Sequence, residues 1–471
     1  EYTRTKFSEI FKKEERNGMK QIDYGTGSIS KNIMRAAGLM IAAQVLSLLY
    51  NVVDRMYIGR IEGVGMQALA GVGLCFPLIS LINAFANLYA SGGASLCAIE
   101  SGRKNHQKAE NYINTSFALI VITAILLSVF GFLFCEKILY AFGASQTTIL
   151  YALPYMQIYI IGTLFSMISL GLNPFINGQG YPTIGMVTIL IGAILNIVLD
   201  PIFIFSFHLG IQGAAIASVL AQIVSAIFIL RFLTSKKAEY RLRFFSLGVA
   251  EFWDCTKNIV SLGMAGFVMQ CTNSLVQIIS NNVLNQYGGD LYISIMTIVN
   301  SVRQILDTII FGLADGTSPI LSYNYGARYY KRVKKTIWAL TAIACLYTSV
   351  VWILILAFPA LFIQLFNQEP QLIELCIPAL RLYFFAFFFQ ALQYAGQTTF
   401  KALNKRNQAI FFSLFRKVII VIPLTLWLPN LFNMGAIGVF TAEPISNFFG
   451  GSICFITMLV TVFPELNQAN E

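Results

Sequence analysis

Charge is the scarcest ingredient of this chain. Asp, Glu, Lys and Arg together make up 11% of its 471 residues, against about a quarter in soluble domains. Apolar residues supply 56%, and mean hydropathy is +0.68. That balance excludes an ordinary soluble enzyme, a disordered chain and a secreted disulfide scaffold, and leaves a polytopic membrane protein. Histidine is nearly absent, with two residues, His106 and His208, and none of the eight cysteines forms a C-x-x-C pair. A His/Cys zinc site therefore has no support. Cys75, Cys97, Cys271, Cys345, Cys376 and Cys454 lie in apolar stretches and are expected to be buried, inert thiols. No nucleophile–base pair or metal constellation marks an enzyme.

What the chain has in abundance is long apolar runs. A membrane-crossing helix needs about 20 such residues, and twelve runs qualify. Six lie near 33–59, 66–98, 111–134, 147–177, 182–206 and 210–234, and six near 252–286, 292–322, 331–358, 372–403, 408–428 and 434–462. Ile184–Val198 is apolar without the alternation a barrel strand requires, so the spans are helices. The first run starts after about 32 residues and is too long for a signal-peptide core, so it is expected to remain as a span. Of the 32 Lys and Arg, 25 fall in the N-terminal tail and in alternate connections, the central linker included. Arg55, Arg60 and Lys137 lie on the other side. Positive charge retained inside puts both termini and the linker in the cytoplasm of a plasma-membrane protein. It also accounts for the net charge of +10 without nucleic acid, because these residues are scattered through short loops.

The two sets of six repeat one another. At a shift of about 225 residues, Gly38 meets Gly263, Gly92 and Gly102 meet Gly316 and Gly326, Phe175 meets Phe400, and Gly210-x-x-Gly213 meets Gly435-x-x-Gly438. An even number of spans per half makes the repeats parallel, around an axis along the membrane normal. The expected organisation is an all-α protein with an N-terminal tail (1–32), an N-lobe (33–234), a cytoplasmic linker (235–251), a C-lobe (252–462) and a C-terminal tail (463–471). Two such lobes enclose a cleft able to open to either side, which is the geometry of a transporter rather than of a ring-built channel.

Charges inside the spans are costly, about 2.5–3.5 kcal/mol each at the bilayer centre, and so point to function. The first half holds Asp54 and Asp200, and Asn196 shares a helix face with Asp200. Two carboxylates with amide and hydroxyl neighbours suit a proton or a hard cation such as sodium. The plainer alternative is that each aspartate caps a helix end. Asn173-Pro174 is expected to interrupt the fourth span, and Asp315, just before Gly316 and Pro319, marks a break in the eighth. Arg303 and Asp307, four residues apart, read as an intrahelical ion pair. Arg381, Arg416, Lys417 and Glu443 complete the set, and Glu443 is a partner for Arg416.

Taken in order, these residues resemble the multidrug and toxic compound extrusion (MATE) family. Tyr50-Asn-Val-Val-Asp54-Arg-Met-Tyr-Ile-Gly59-Arg60 is similar to its first-span pattern. Gly178-Gln-Gly180-Tyr-Pro182 with Leu195-Asn196-Ile-Val-Leu-Asp200-Pro201 matches its fifth, and Gly210-Ile-Gln-Gly213-Ala-Ala-Ile-Ala217-Ser218 its sixth. Pro319-Ile-Leu-Ser-Tyr323-Asn-Tyr-Gly-Ala327 and Ala379-Leu-Arg381-Leu-Tyr-Phe resemble the bacterial drug-exporter branch. The resemblance implies a MATE-like fold of 12 transmembrane helices in two pseudo-symmetric six-helix lobes. It implies export of lipophilic organic cations in exchange for Na+ or H+, with no cofactor beyond that coupling ion and a monomer as the expected working unit. The coupling or sodium site maps to Asp54, Asn196, Asp200 and Ser218, with Tyr155 and Asn173 as supporting polar groups. Two features depart from the family. Leu39 and Met264 stand where a kinking proline is common, and Gln270 stands where some members carry a titratable glutamate. A second-lobe site would then need Asp307 or Asp315. A flippase for lipid-linked sugars, from the same fold superfamily, is the alternative, and it requires Arg303, Arg381 and Arg416 to face the cleft.

Overall fold

The computed structural model describes residues 21–243, 248–366 and 370–468. In the first half, helices run over Ile29–Gly59 (α1), Gly65–Gly102 (α2), His106–Ala141 (α3), Ile149–Gly178 (α4), Pro182–Ser206 (α5) and Gly210–Thr234 (α6). In the second half they run over Val249–Tyr287 (α7), Leu291–Gly326 (α8), Tyr330–Ala357 (α9), Pro370–Ala402 (α10), Arg406–Trp427 (α11) and Ala436–Gln468 (α12). Gly289, at φ +60° and ψ −156°, turns α7 into α8. Eleven of these helices are each long and apolar enough to cross a membrane, and α10 is a twelfth, bent by 44° between Tyr383 and Phe387. Bulky apolar side chains such as Leu126, Leu133, Leu346 and Val460 cover the outer faces, as helices facing lipid require. Of the six apolar-stretch cysteines, Cys271 is exposed and Cys345 only half-buried, against the expectation of burial.

Two expected helix breaks do not occur. α4 runs through Asn173-Pro174 and α8 runs through Pro319 as single helices. A proline removes one backbone bond, but away from water nothing competes for the rest of the ladder, so the helix continues. α1 contains no proline and is likewise unbroken.

Of the glycines that betrayed the repeat, Gly92, Gly102, Gly263, Gly316 and Gly326 lie where the halves touch. A Cβ on Gly92 would lie 2.2 Å from the Ile259 carbonyl oxygen of α7, and one on Gly316 would lie 2.4 Å from the Ala37 Cα of α1. Gly102 and Gly326 meet the backbones of Tyr323 and Ile99 reciprocally across α2 and α8. Both pairs obey the pseudo-twofold relation. Only residues without a side chain allow helices this close, so the lobes are drawn together at the end where residues 21–28 lie.

The segment 21–28, part of the polar N-terminal tail, lies as a strap over that end. The Ile22 N–H donates to the Gly180 carbonyl at 2.8 Å and the Tyr24 hydroxyl to the Asn177 carbonyl at 2.6 Å, both in the first half. From the second half, Arg332 donates to the carbonyls of Tyr24, Thr26 and Gly27 at 2.9–3.1 Å, and Asn324 donates to the Tyr24 carbonyl at 2.9 Å. The remainder of the expected tail, residues 1–20, lies outside the described residues. Arg332→Ala is expected to cost about 1–3 kcal/mol and to raise amide exchange across residues 22–27, read by hydrogen–deuterium exchange mass spectrometry. Unchanged exchange there would show that Arg332 does not hold the strap.

Candidate functional site

α5 and α6 place three of the expected site residues together. Asn196 and Asp200 lie one turn apart on α5, and the Asn196 side-chain amide donates to Asp200 Oδ1 at 3.2 Å and to the Ser218 hydroxyl of α6 at 3.1 Å. Asp54, near the end of α1, lies beside Asp200. Asp200 is fully buried, and Asn196 is 2% exposed. Neither aspartate serves as a helix cap. Asp200 precedes Pro201 and a π-helical turn over Ile202–Ser206, a local widening frequent at functional sites. Three acceptor atoms here, Asp54 Oδ1, Asp200 Oδ2 and Asn196 Oδ1, are buried without a hydrogen-bond donor among the described residues. Orphaned acceptors inside a membrane protein are expensive. A proton or a hard cation is what such a set of oxygens accommodates.

The supporting residues divide. Tyr155 of α4 is buried beside both aspartates and stacks on Tyr159. Asn173 does not reach them. Its amide donates to the Gly185 carbonyl at 2.8 Å and the Thr188 hydroxyl at 2.5 Å, and its oxygen accepts from Asn177, so it ties α4 to α5 nearer the strap.

Between the lobes is a cavity of about 620 Å³, lined by both halves and reached by Asp54, Asn196 and Ser218. The second-lobe residues Gln270, Asp307 and Asp315 do not form one site. Gln270 accepts from Asn87 of α2 at 3.3 Å across the interface. Asp315 lines the cavity and accepts from Gln44 of α1 at 3.2 Å. Asp307 lies inside the C-lobe, where it accepts from Arg303 at 3.2 Å and Gln390 at 3.0 Å.

The C-lobe interior holds a network whose full extent sequence spacing did not indicate. The expected Arg416–Glu443 pair is present at 3.0 Å, and Glu443 also takes Arg303 at 2.5 Å and Lys417 at 3.3 Å. Arg416 and Lys417 are adjacent in sequence, and neighbours on an α-helix do not face one partner. Both reach Glu443 from a stretch of α11 that is π-helical over Phe415–Val421. Glu443 occupies on α12 the position that Ser218 occupies on α6, 225 residues earlier. Arg381, by contrast, is exposed and donates to the Leu356 carbonyl.

The sequence model of the MatE family matches the chain twice, over residues 40–202 and 266–427. The chain belongs to the MatE family. The two matches fall one in each half, as the glycine register requires. Among curated relatives, the multidrug export protein MepA of Staphylococcus haemolyticus is 24% identical over 86% of this chain and 88% of its own length. MepA of Staphylococcus saprophyticus is 22% identical over 93% and 94%. The fold is that of solved MATE transporters. An outward-facing multidrug resistance transporter of the family superposes with TM-score 0.87 at 21% identity, covering 96% of this chain and 99% of the other. A MATE structure in a bent conformation gives 0.88 at 22%, covering 96% and 100%.

Proposed function

We propose that this MatE chain is a secondary active multidrug exporter of the plasma membrane, with both termini cytoplasmic. It exchanges lipophilic organic cations for Na+ or H+ and works as a monomer. Residues 33–234 and 252–462 form its two lobes. Asp54, Asn196, Asp200 and Ser218 take the coupling ion. The observation that carries this reading is the convergence of three donorless buried oxygens beside a cavity shared by two lobes. An ion entering there from outside neutralises Asp54 and Asp200. It drives export only if it binds one lobe arrangement more tightly than the other, because equal binding shifts nothing. The MepA relatives and the MATE neighbours favour export of drugs over flipping of lipid-linked sugars. The flippase reading also needs arginines in the cleft, and Arg303 and Arg416 are instead consumed in buried ion pairs while Arg381 donates to the Leu356 carbonyl.

The test uses purified protein in liposomes loaded with ethidium, with a sodium gradient or a pH gradient imposed separately. Ethidium movement under one gradient is expected and names the coupling ion. No movement under either would overturn the proposal.

A further inference from the structure

The cavity carries charge at two separate places. Asp54 and Arg55 lie at one end, with the Arg55 guanidinium 4.5 Å above the Phe76 ring. Asp315 and Lys401 of the second half lie at the other. The carboxylates of the C-lobe differ sharply in how they are employed. Glu443 and Asp307 are buried and ion-paired. Asp315 is open to the cavity, and among the described residues no Lys or Arg comes within ion-pair distance of it. Its hydrogen bond is from a neutral amide, Gln44. Lys401 lines the same wall without forming an ion pair to it. Lys401 is near enough to act on Asp315 electrostatically but does not contact it, and a carboxylate on a membrane cavity with no direct ion pair is available to a cation brought by a ligand.

Its surroundings define the kind of ligand. Met40 and Pro319 give apolar contact, and Gln44, Ser47 and Ser318 give hydrogen-bonding groups. The combination suits an amphiphilic organic monocation, with its charge held by Asp315 and its apolar body lying along the cavity. Asp315 also stands between Gly312 and Gly316, the two α8 glycines that pack against the α1 backbone at Ile41 and Ala37. A ligand held there touches the joint between the lobes.

Resting on the export function proposed above, we infer that Asp315 is the counter-ion for the transported cation, a specificity determinant in the C-lobe distinct from the ion-coupling residues of the N-lobe. Lys401 opposes it and limits how tightly a monocation is held.

The test is equilibrium binding to the purified full chain of ethidium, a monocation, and of dihydroethidium, its uncharged reduced form with the same ring skeleton. Asp315→Asn keeps the shape and the Gln44 contact and is expected to weaken ethidium binding by about tenfold or more while leaving dihydroethidium unchanged. Asp315→Glu is expected to restore ethidium binding. Lys401→Gln is expected to tighten ethidium and leave the neutral probe alone, a readout that survives if Asp315→Asn fails to fold. Ethidium affinity within about twofold of wild type in Asp315→Asn, an equal loss for both probes, or no gain in Lys401→Gln would overturn the assignment. Wild-type protein that binds ethidium but moves none under either gradient would instead remove the export function on which it rests.

Discussion

Asp200→Asn is expected to abolish gradient-driven export while making the protein no less stable. Asn has the shape of Asp and still accepts the hydrogen bond from Asn196, so α5 and α6 remain joined. What disappears is the group able to bind and release a cation. Without it the two lobe arrangements are no longer biased by the gradient, and transport in liposomes should fall below about a tenth of the wild-type rate. Stability should move the other way. Asp200 is fully buried, its Oδ2 has no donor and Asp54 stands against it. An unpaired charge in such a place costs several kcal/mol, so its removal should be neutral or should stabilise by about 1–3 kcal/mol. The opposed signs make the experiment decisive. A variant that loses transport because it unfolds has said nothing about coupling. A variant that melts no earlier than wild type and still transports at full rate would sink the assignment of Asp200.

Glu443→Gln is expected to do the reverse, with the largest loss of stability of any single change considered. Glu443 is 3% exposed and is the common partner of Arg303, Arg416 and Lys417. Removing its charge leaves three cations facing one another inside the membrane, relieved by Asp307 alone, at a cost of about 3–5 kcal/mol. Arginine cannot escape by losing its proton, so the loss should appear as a poor yield of monodisperse protein and a lowered melting temperature. The same bookkeeping predicts an asymmetry. The five ionisable groups carry three cations and two anions, so Lys417→Met removes the surplus cation and should be tolerated. Added to Glu443→Gln, it should recover part of the stability, a coupling expected only of residues in contact. If Glu443→Gln purifies and melts as wild type does, the network does not hold the C-lobe together.

The two lobes therefore use one helical position for different ends. Ser218 on α6 joins a site with spare acceptors, and Glu443 on α12 closes a site saturated with donors. Spacing along single helices made the first of these legible. Asn196 and Asp200 are four apart on one face, and Arg303 and Asp307 form the expected intrahelical pair at 3.2 Å. It could not reveal the second in full. Arg303 and Glu443 are 140 residues apart, and the adjacent Arg416 and Lys417 share Glu443 from a π-helical stretch of α11. Asn173 was expected only as a supporting polar group, and packing chose its partners. Its amide is taken up by Gly185 and Thr188.

The sequence by itself determined that this is a membrane protein of twelve helices in two repeated halves. Those properties follow from the length and hydropathy of each segment and from glycines in register, all of which are local or periodic. It also determined which charged residues had to be explained, because charge in an apolar run is costly wherever the chain folds. Tertiary structure alone decided what satisfies each one. It left Asp54 and Asp200 facing each other with acceptors to spare, buried Glu443 among three cations, opened Asp315 to the cavity and folded residues 21–28 across both lobes. Partners separated by a hundred or more residues are chosen by how helices pack, and no pattern along the chain encodes a packing.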